Sequence, residues 1–187
     1  MPAYSEEHAT ARDDFLRAFG MAMMEWSALE EVMCHWFITC SEMTEERARA
    51  VFYSARSFTG RRDMLSAVIP ISSLDTPRKE LLKAAVKKAA NYSAFRNIAA
   101  HGAMNVQEDE NPPIYVLADP QASDPVLAEQ GLKTEQLDLA AYNIGMLRKY
   151  LAEAHPRVYD EHSPSLDKLL ELIRELPTQV DSMAPIH

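Results

Sequence analysis

Between Phe15 and Cys40 the bulky apolar side chains fall on one ladder: Phe15, Phe19, Ala22, Trp26, Leu29, Met33, Trp36 and Cys40. The steps alternate between four and three, so the ladder stays on one side of a helix for several turns. A seam of that kind must be covered by another helix at a shallow angle, which points to a helical bundle. The spacing predicts a first helix from about Glu6 to Thr39. Trp26 and Trp36 read as core anchors rather than a cofactor box. Gly20 lies inside this helix and weakens it by about 1 kcal/mol relative to alanine. The chain has only 5 glycines and is rich in Ala, Leu, Glu, Met and Lys, which lose little freedom in a helix. The expected fold is all-α: an up-and-down bundle of about five to six helices forming one domain over residues 1–187, with its core at about 10–155.

Further helices follow from their caps. Thr44 is placed to cap a second helix carrying Glu45 and Glu46 in its first turn, where the helix dipole favours acids. Thr59-Gly60 reads as a break, with a short third helix from Arg61 to Val68. Asp75-Thr76-Pro77 sets a capping side chain beside a proline suited to the first turn. The fourth helix runs from there to His101 and stops at Gly102, the usual residue just past a helix end. Its many alanines keep its surface thin, so a central position or a dimer contact is expected. Glu108-Asp109-Glu110-Asn111-Pro112-Pro113 is a polar turn between Met104-Asn105-Val106 and Ile114-Tyr115-Val116-Leu117, which predicts a β-hairpin insertion near 104–117. A loop with Pro120 and Pro125 follows. Thr134 is placed to cap a fifth helix, Glu135 to about His155. A C-terminal helix spans about 165–176.

Charge limits the function classes. The formal net charge of −9 argues against a general nucleic-acid coat protein. Residues 56–101 nevertheless hold nine basic groups against three acids, a net of +6, which leaves −15 on the remainder. The basic segment is either a local anion-binding surface or simply solvated helix faces. Met1 to Thr10 carries acids and no apolar core, unlike a secretory signal, and no apolar run has the length of a membrane span. With two cysteines, Cys34 and Cys40, no disulfide framework is suggested. The expected location is cytoplasmic.

The end of the fourth helix reads Ser93-Ala94-Phe95-Arg96-Asn97-Ile98-Ala99-Ala100-His101-Gly102. It resembles the signature of HEPN (higher eukaryotes and prokaryotes nucleotide-binding) domains, an Arg, a polar residue, a short spacer and a His on a helical bundle. Trp26-Ser27-Ala28-Leu29-Glu30 is similar to the first helix of uncharacterised bacterial proteins of that type. The resemblance covers roughly residues 10–155. It implies a homodimer whose two motifs face one cleft, and a metal-independent ribonuclease without a cofactor. It further implies a place in toxin–antitoxin, stress or anti-phage biology, with RNA or a nucleotide as ligand, an antitoxin protein as partner and no membrane. Arg96, Asn97 and His101 would be the catalytic residues. Tyr92, one turn before Arg96, and the basic Lys88, Arg61 and Arg62 are the candidate binding residues. Relatives with a tyrosine two residues after the His have Ala103 there in this chain, which speaks against the tyrosine-dependent variant.

The chemistry can be stated without the resemblance. Cleaving RNA through its own 2′-hydroxyl needs a group that exchanges protons near neutral pH, which suits His. It also needs a cation against the charge growing on the phosphate oxygens, which suits Arg. Arg96 and His101 are five residues apart, about 140° around an ideal helix. Either His101 leaves the helical path at the cap, or the Arg of one subunit works with the His of another. Two other readings stand beside this one. One is a non-catalytic nucleotide-, RNA- or protein-binding module using the same cleft. The other is a scaffold in which His101 merely complements the helix dipole and Arg96 pairs with Glu30 or Glu31.

Other candidates are weaker. Cys34, His35 and Cys40 do not share a helix face and have no second ligand pair, so no zinc site is expected. Glu108, Asp109 and Glu110 lack the spacing of a calcium loop. His155, His162 and His187 read as surface residues, and Tyr92 reads equally well as a core tyrosine.

Overall fold

The computed structural model describes residues 6–107, 113–118 and 131–179. Among them are six helices and one antiparallel hairpin: α1 (Glu6–Ser41), α2 (Glu45–Ser54), α3 (Phe58–Val68), α4 (Thr76–His101), β1 (Ala103–Gln107), β2 (Ile114–Ala118), α5 (Thr134–Ala154) and α6 (Leu166–Glu175). The charged turn at 108–112 and the loop with Pro120 and Pro125 lie outside the described residues.

The ladder of α1 is the spine of the core. Phe15, Ala22, Trp26, Leu29, Met33, Trp36 and Cys40 are all buried, and Phe19 packs partly covered against them. Each large apolar side chain so buried contributes about 1.5–3 kcal/mol. The seam is covered chiefly by α5, whose Ile144, Leu147 and Leu151 are fully buried. Polar contacts fix the register: Arg17 with Asp138 at 3.5 Å, Arg148 with Glu25 at 2.7 Å, and Trp36 Nε1–H donating to the Leu151 carbonyl at 3.0 Å. These pairs advance together along both chains, so α1 and α5 run parallel.

Several helix ends differ from the sequence-based expectation. Glu42, at φ 55°, terminates α1 in the left-handed region. Thr44 occupies the N-cap position of α2 with extended backbone, but its side chain makes no capping hydrogen bond. Thr59-Gly60 is no break, because α3 already starts at Phe58. The Ser57 hydroxyl accepts from Gly60 N–H at 3.2 Å, and a first-turn glycine costs little where N–H groups have no intrahelical partner. Lys133, not Thr134, is the N-cap of α5, where the Gln136 side chain accepts Lys133 N–H at 3.0 Å. Ser165 caps α6 by accepting from Lys168 N–H at 3.2 Å.

α4 lies against α6, α5, α3, α1 and β2. Its buried alanines, Ala85, Ala89 and Ala99, let these neighbours approach. Asp75 accepts from Arg78 N–H at 2.8 Å. The Arg78 guanidinium pairs with Asp75, donates to Ala154 O at 3.4 Å and lies 5.0 Å from the centre of the Tyr159 ring. The start of α4 is thereby fastened to the end of α5. At its other end the chain turns into β1, which pairs with β2 from Ala103↔Ala118 to Gln107↔Ile114. The second edge of β2 is met by Leu132 through two backbone hydrogen bonds of 2.9 Å with Leu117. All five β1 residues are exposed, and among the described residues its outer edge has no strand partner.

Candidate functional site

His101 is the last helical residue of α4. It does not leave the helical path, so the first of the two geometric routes fails: the chain departs one residue later, after Gly102 N–H donates to Ile98 O at 2.7 Å. Gly102 is not left-handed, with φ −67° and ψ 152°. Its glycine is required by space. A Cβ there would stand 2.7 Å from Ile98 O, 3.0 Å from the Leu117 side chain and 3.1 Å from Ala118 O. The hairpin is thus pressed directly against the end of the motif.

Arg96 and His101 sit on one regular helix and therefore point about 140° apart. His101 is exposed, and no hydrogen bond or ion pair holds its ring among the described residues. Arg96 is half-buried. Its Nη1 donates to Asn97 Oδ1 at 3.4 Å, while its Nε is buried with no partner. Neither Glu30 nor Glu31 pairs with it. Glu30 is held by Arg61 at 2.8 Å, and Glu31 by Arg49, His35 and Tyr53. The motif residues are therefore not consumed by the acids of α1.

The candidate binding residues separate. Tyr92 is fully buried, and its hydroxyl donates to Pro177 O at 2.9 Å. Burial raises its pKa well above that of a free tyrosine. Lys88 Nζ donates to Leu176 O and, at 3.5 Å, to Pro177 O, and burial pushes its pKa down. Both side chains fasten the segment after α6 to α4. Arg61 donates to Ala55 O at 3.1 Å as well as to Glu30, and lies 5.2 Å from the centre of the Tyr53 ring. It fixes the α2–α3 turn on α1. Arg62 remains at the surface, and among the described residues it pairs only with its neighbour Asp63 at 2.7 Å.

Arg62 also borders a groove of about 280 Å³ between α3 and α4, with Ser66, Ile69, Lys83, Val86, Lys87 and Ala90. Lys83 and Lys87 were not singled out by the sequence. The signal was present in their spacing: Lys83, Lys87, Asn91, Ala94, Asn97 and His101 recur at helical intervals, and every one is exposed. A larger groove of about 770 Å³ lies between the start of α1, β2 and the start of α5. Among the described residues Glu6, Glu7, Asp14 and Glu135 line it with Lys133 as the one cation, which disfavours anions. Neither groove is lined by Arg96, Asn97 or His101.

A second polar cluster joins α1 to α2. The Glu31 carboxylate accepts from Arg49 and, at 2.7 Å, from Tyr53 OH, with His35 Nε2 at 3.0 Å. The Arg49 hydrogen bond, helped by those of Tyr53 and His35, lowers its pKa to about 2 against the cost of burial. Two i,i+4 pairs on successive helices, Glu31/His35 and Arg49/Tyr53, are the trace it leaves in the sequence. His155 is a correction: it is buried, not superficial. Its Nδ1 accepts Arg157 N–H at 3.3 Å, which leaves the proton on Nε2, 2.9 Å from Thr39 Oγ1. Trp36 packs edge-on at 4.8 Å, and burial lowers the pKa. His162 is exposed, and His187 lies outside the described residues.

Cys34 and Cys40 are free and buried. Burial raises both thiol pKa values, that of Cys40 to about 11, so both stay protonated and unreactive near neutral pH. No group of three His, Cys, Asp or Glu suited to a metal occurs among the described residues. No described helix is long and apolar enough to cross a membrane. No family model, curated protein or solved structure matches the chain.

Proposed function

We propose that this chain is a HEPN-like protein that acts on RNA as a homodimer, with Arg96, Asn97 and His101 forming a metal-independent endoribonuclease site. The observation that carries the reading lies at the end of the central helix. There, an exposed His101 whose ring has no partner among the described residues follows an Arg96 whose buried Nε has none among them either. The angle between them supports a two-subunit arrangement, in which the Arg96 of one copy meets the His101 of the other across a two-fold axis.

In that arrangement the RNA 2′-oxygen attacks the adjacent phosphorus and the bond to the 5′-oxygen breaks. His101 exchanges the proton, either taking it from the 2′-hydroxyl or giving it to the departing 5′-oxygen. Arg96 offsets the charge growing on the non-bridging oxygens. Asn97 orients the guanidinium through the contact it already makes. RNA is the substrate class because DNA lacks the 2′-nucleophile.

The test is incubation of labelled RNA with the purified protein in EDTA. Cleavage that is lost in His101→Ala and Arg96→Ala, with thermal unfolding unchanged, supports the reading. RNA left intact across varied sequences refutes it. The exposed β1 strand, whose outer edge has no strand partner among the described residues, favours a second reading: an interaction module that receives a partner strand such as that of an antitoxin protein.

A further inference from the structure

Charge separates the two grooves described above. The larger is lined by acids, while the smaller is lined by Arg62, Lys83 and Lys87 over an apolar floor of Ile69, Val86 and Ala90. Among the described residues Arg62 and Lys83 pair only with neighbours on their own helices, Asp63 at 2.7 Å and Glu80 at 2.8 Å. Exposed pairs of this kind are worth about 0–1 kcal/mol, so a phosphate can replace the carboxylate at little cost. Lys87 makes no ion pair among the described residues. Four other cations of the basic segment are differently placed. Arg61, Arg78 and Lys88 are fastened to carbonyls or acids inside the fold, and Lys79 donates to Pro70 O at 3.1 Å.

The groove is aligned with the motif. Lys83 and His101 are eighteen residues apart, which is about five full turns, so the two side chains leave α4 in the same direction. Between them Lys87, Asn91, Ala94 and Asn97 lie on that face, and all four are exposed. From Lys87 to His101 the axial distance is about 21 Å. A stacked strand advances about 3.4 Å per nucleotide, so about six nucleotides span it.

We infer that the Arg62–Lys83–Lys87 groove is a phosphate-binding track that receives single-stranded RNA and leads it along the exposed face of α4 to His101. The inference rests on the RNA reading above and extends it, since it names the strand form, the anchoring side chains and a minimum length. Single strands fit because their phosphates follow a narrow line of cations. A duplex needs contacts spread across two strands.

The experiment measures binding of a fluorescent single-stranded RNA of about twelve nucleotides, long enough to cover both ends, over a series of salt concentrations. It uses the full chain and the His101→Ala chain, the latter to keep the probe intact. The decisive variant is Arg62→Ala/Lys83→Ala/Lys87→Ala. Its comparator, Arg47→Ala/Arg56→Ala/Arg157→Ala, removes equal charge from exposed positions outside the groove. Each single-strand phosphate contact contributes about 0.7 to the log–log salt slope, so the groove variant is expected to lose about 2 units and the comparator under about 0.5. Lys83→Arg/Lys87→Arg should keep the wild-type slope, which guards against a folding defect.

Equal losses in both triple variants, no binding of RNA at all, or displacement of the RNA by an acidic peptide of matched charge at lower concentration would each overturn the assignment. The last would indicate a protein partner. Groove-dependent binding with RNA left intact in EDTA refutes the nuclease and leaves the track standing. Cleavage and salt slope both unaffected by the groove variant refute the track and leave the nuclease standing.

Discussion

Replacing Gly102 by alanine is a test of how the hairpin is seated on the motif. The backbone angles of Gly102 are ordinary for any residue, so conformational strain contributes nothing. Alanine should even gain about 0.4–1 kcal/mol by restricting the unfolded chain. Against that, the new methyl carbon would meet Ile98 O at 2.7 Å, Leu117 at 3.0 Å and Ala118 O at 3.1 Å. Two of the three are backbone oxygens, one in α4 and one in β2, and neither can swing aside as a side-chain tip does. Overpacking of this kind costs about 1–3 kcal/mol, which leaves a net loss of about 1–2 kcal/mol. For a chain of this size that lowers Tm by about 2–8 °C. Gly20→Ala provides the opposite sign. It lies inside α1 with nothing within 4 Å of the added carbon, so it should stabilise by about 0.5–1 kcal/mol. Urea unfolding followed by circular dichroism reads both. A Gly102→Ala protein at least as stable as the wild type would refute the close seating of α4 against β2.

Three further outcomes are expected. Glu31 has its pKa lowered to about 2 from 4.5, so its contribution is complete above pH 4.5 and is lost as pH falls toward 2. The carboxylate is nearly half exposed, and solvent screening reduces the loss to about 1 kcal/mol; Glu31→Gln should remove that part of the acid dependence in urea titrations. His155 is held neutral by burial, so stability should decline as pH drops below about 6.5, and His155→Gln, which keeps a donor for Thr39, should flatten that decline. Tyr92→Phe deletes the hydrogen bond to Pro177 O, costing about 0.5–1.5 kcal/mol; amide exchange in α6 should quicken while α1 is unaffected.

The parts of the fold readable from sequence are those set by local periodicity. The α1 ladder, the Asp75-Thr76-Pro77 start of α4 and the paired apolar runs around residues 104–117 each carry their signal within a few turns or a few residues. What escaped depends on partners distant in the chain. Gly102 looks like a left-handed helix stop until Leu117 and Ala118 are seen against it. His155 looks superficial beside Pro156 until Trp36 and Thr39 cover it. Thr59-Gly60 reads as a break, but the Ser57 cap beside it outweighs the glycine. Within the candidate site, Arg96, Asn97 and His101 are visible as a motif, yet their neighbours are not. Charge alone cannot separate Lys88 and Arg61, which hold the fold, from Lys83 and Lys87, which face outward. That separation depends on which carbonyls and acids each helix brings within reach.

The parallel pairing of α1 with α5 has a consequence during synthesis. Trp36 meets Leu151, 115 residues later in the chain, and Glu25 meets Arg148, 123 residues later. At about 5–20 residues per second, the ribosome needs about 6–25 s to supply the helix that covers the α1 seam. Throughout that interval the part of the α1 seam that α5 covers, Trp36 included, faces either solvent or whatever else binds apolar surface. Contacts of such range also slow the search for the native pairing relative to a bundle of sequential hairpins. The nascent α1 is therefore the segment on which a ribosome-associated chaperone has the longest opportunity to act.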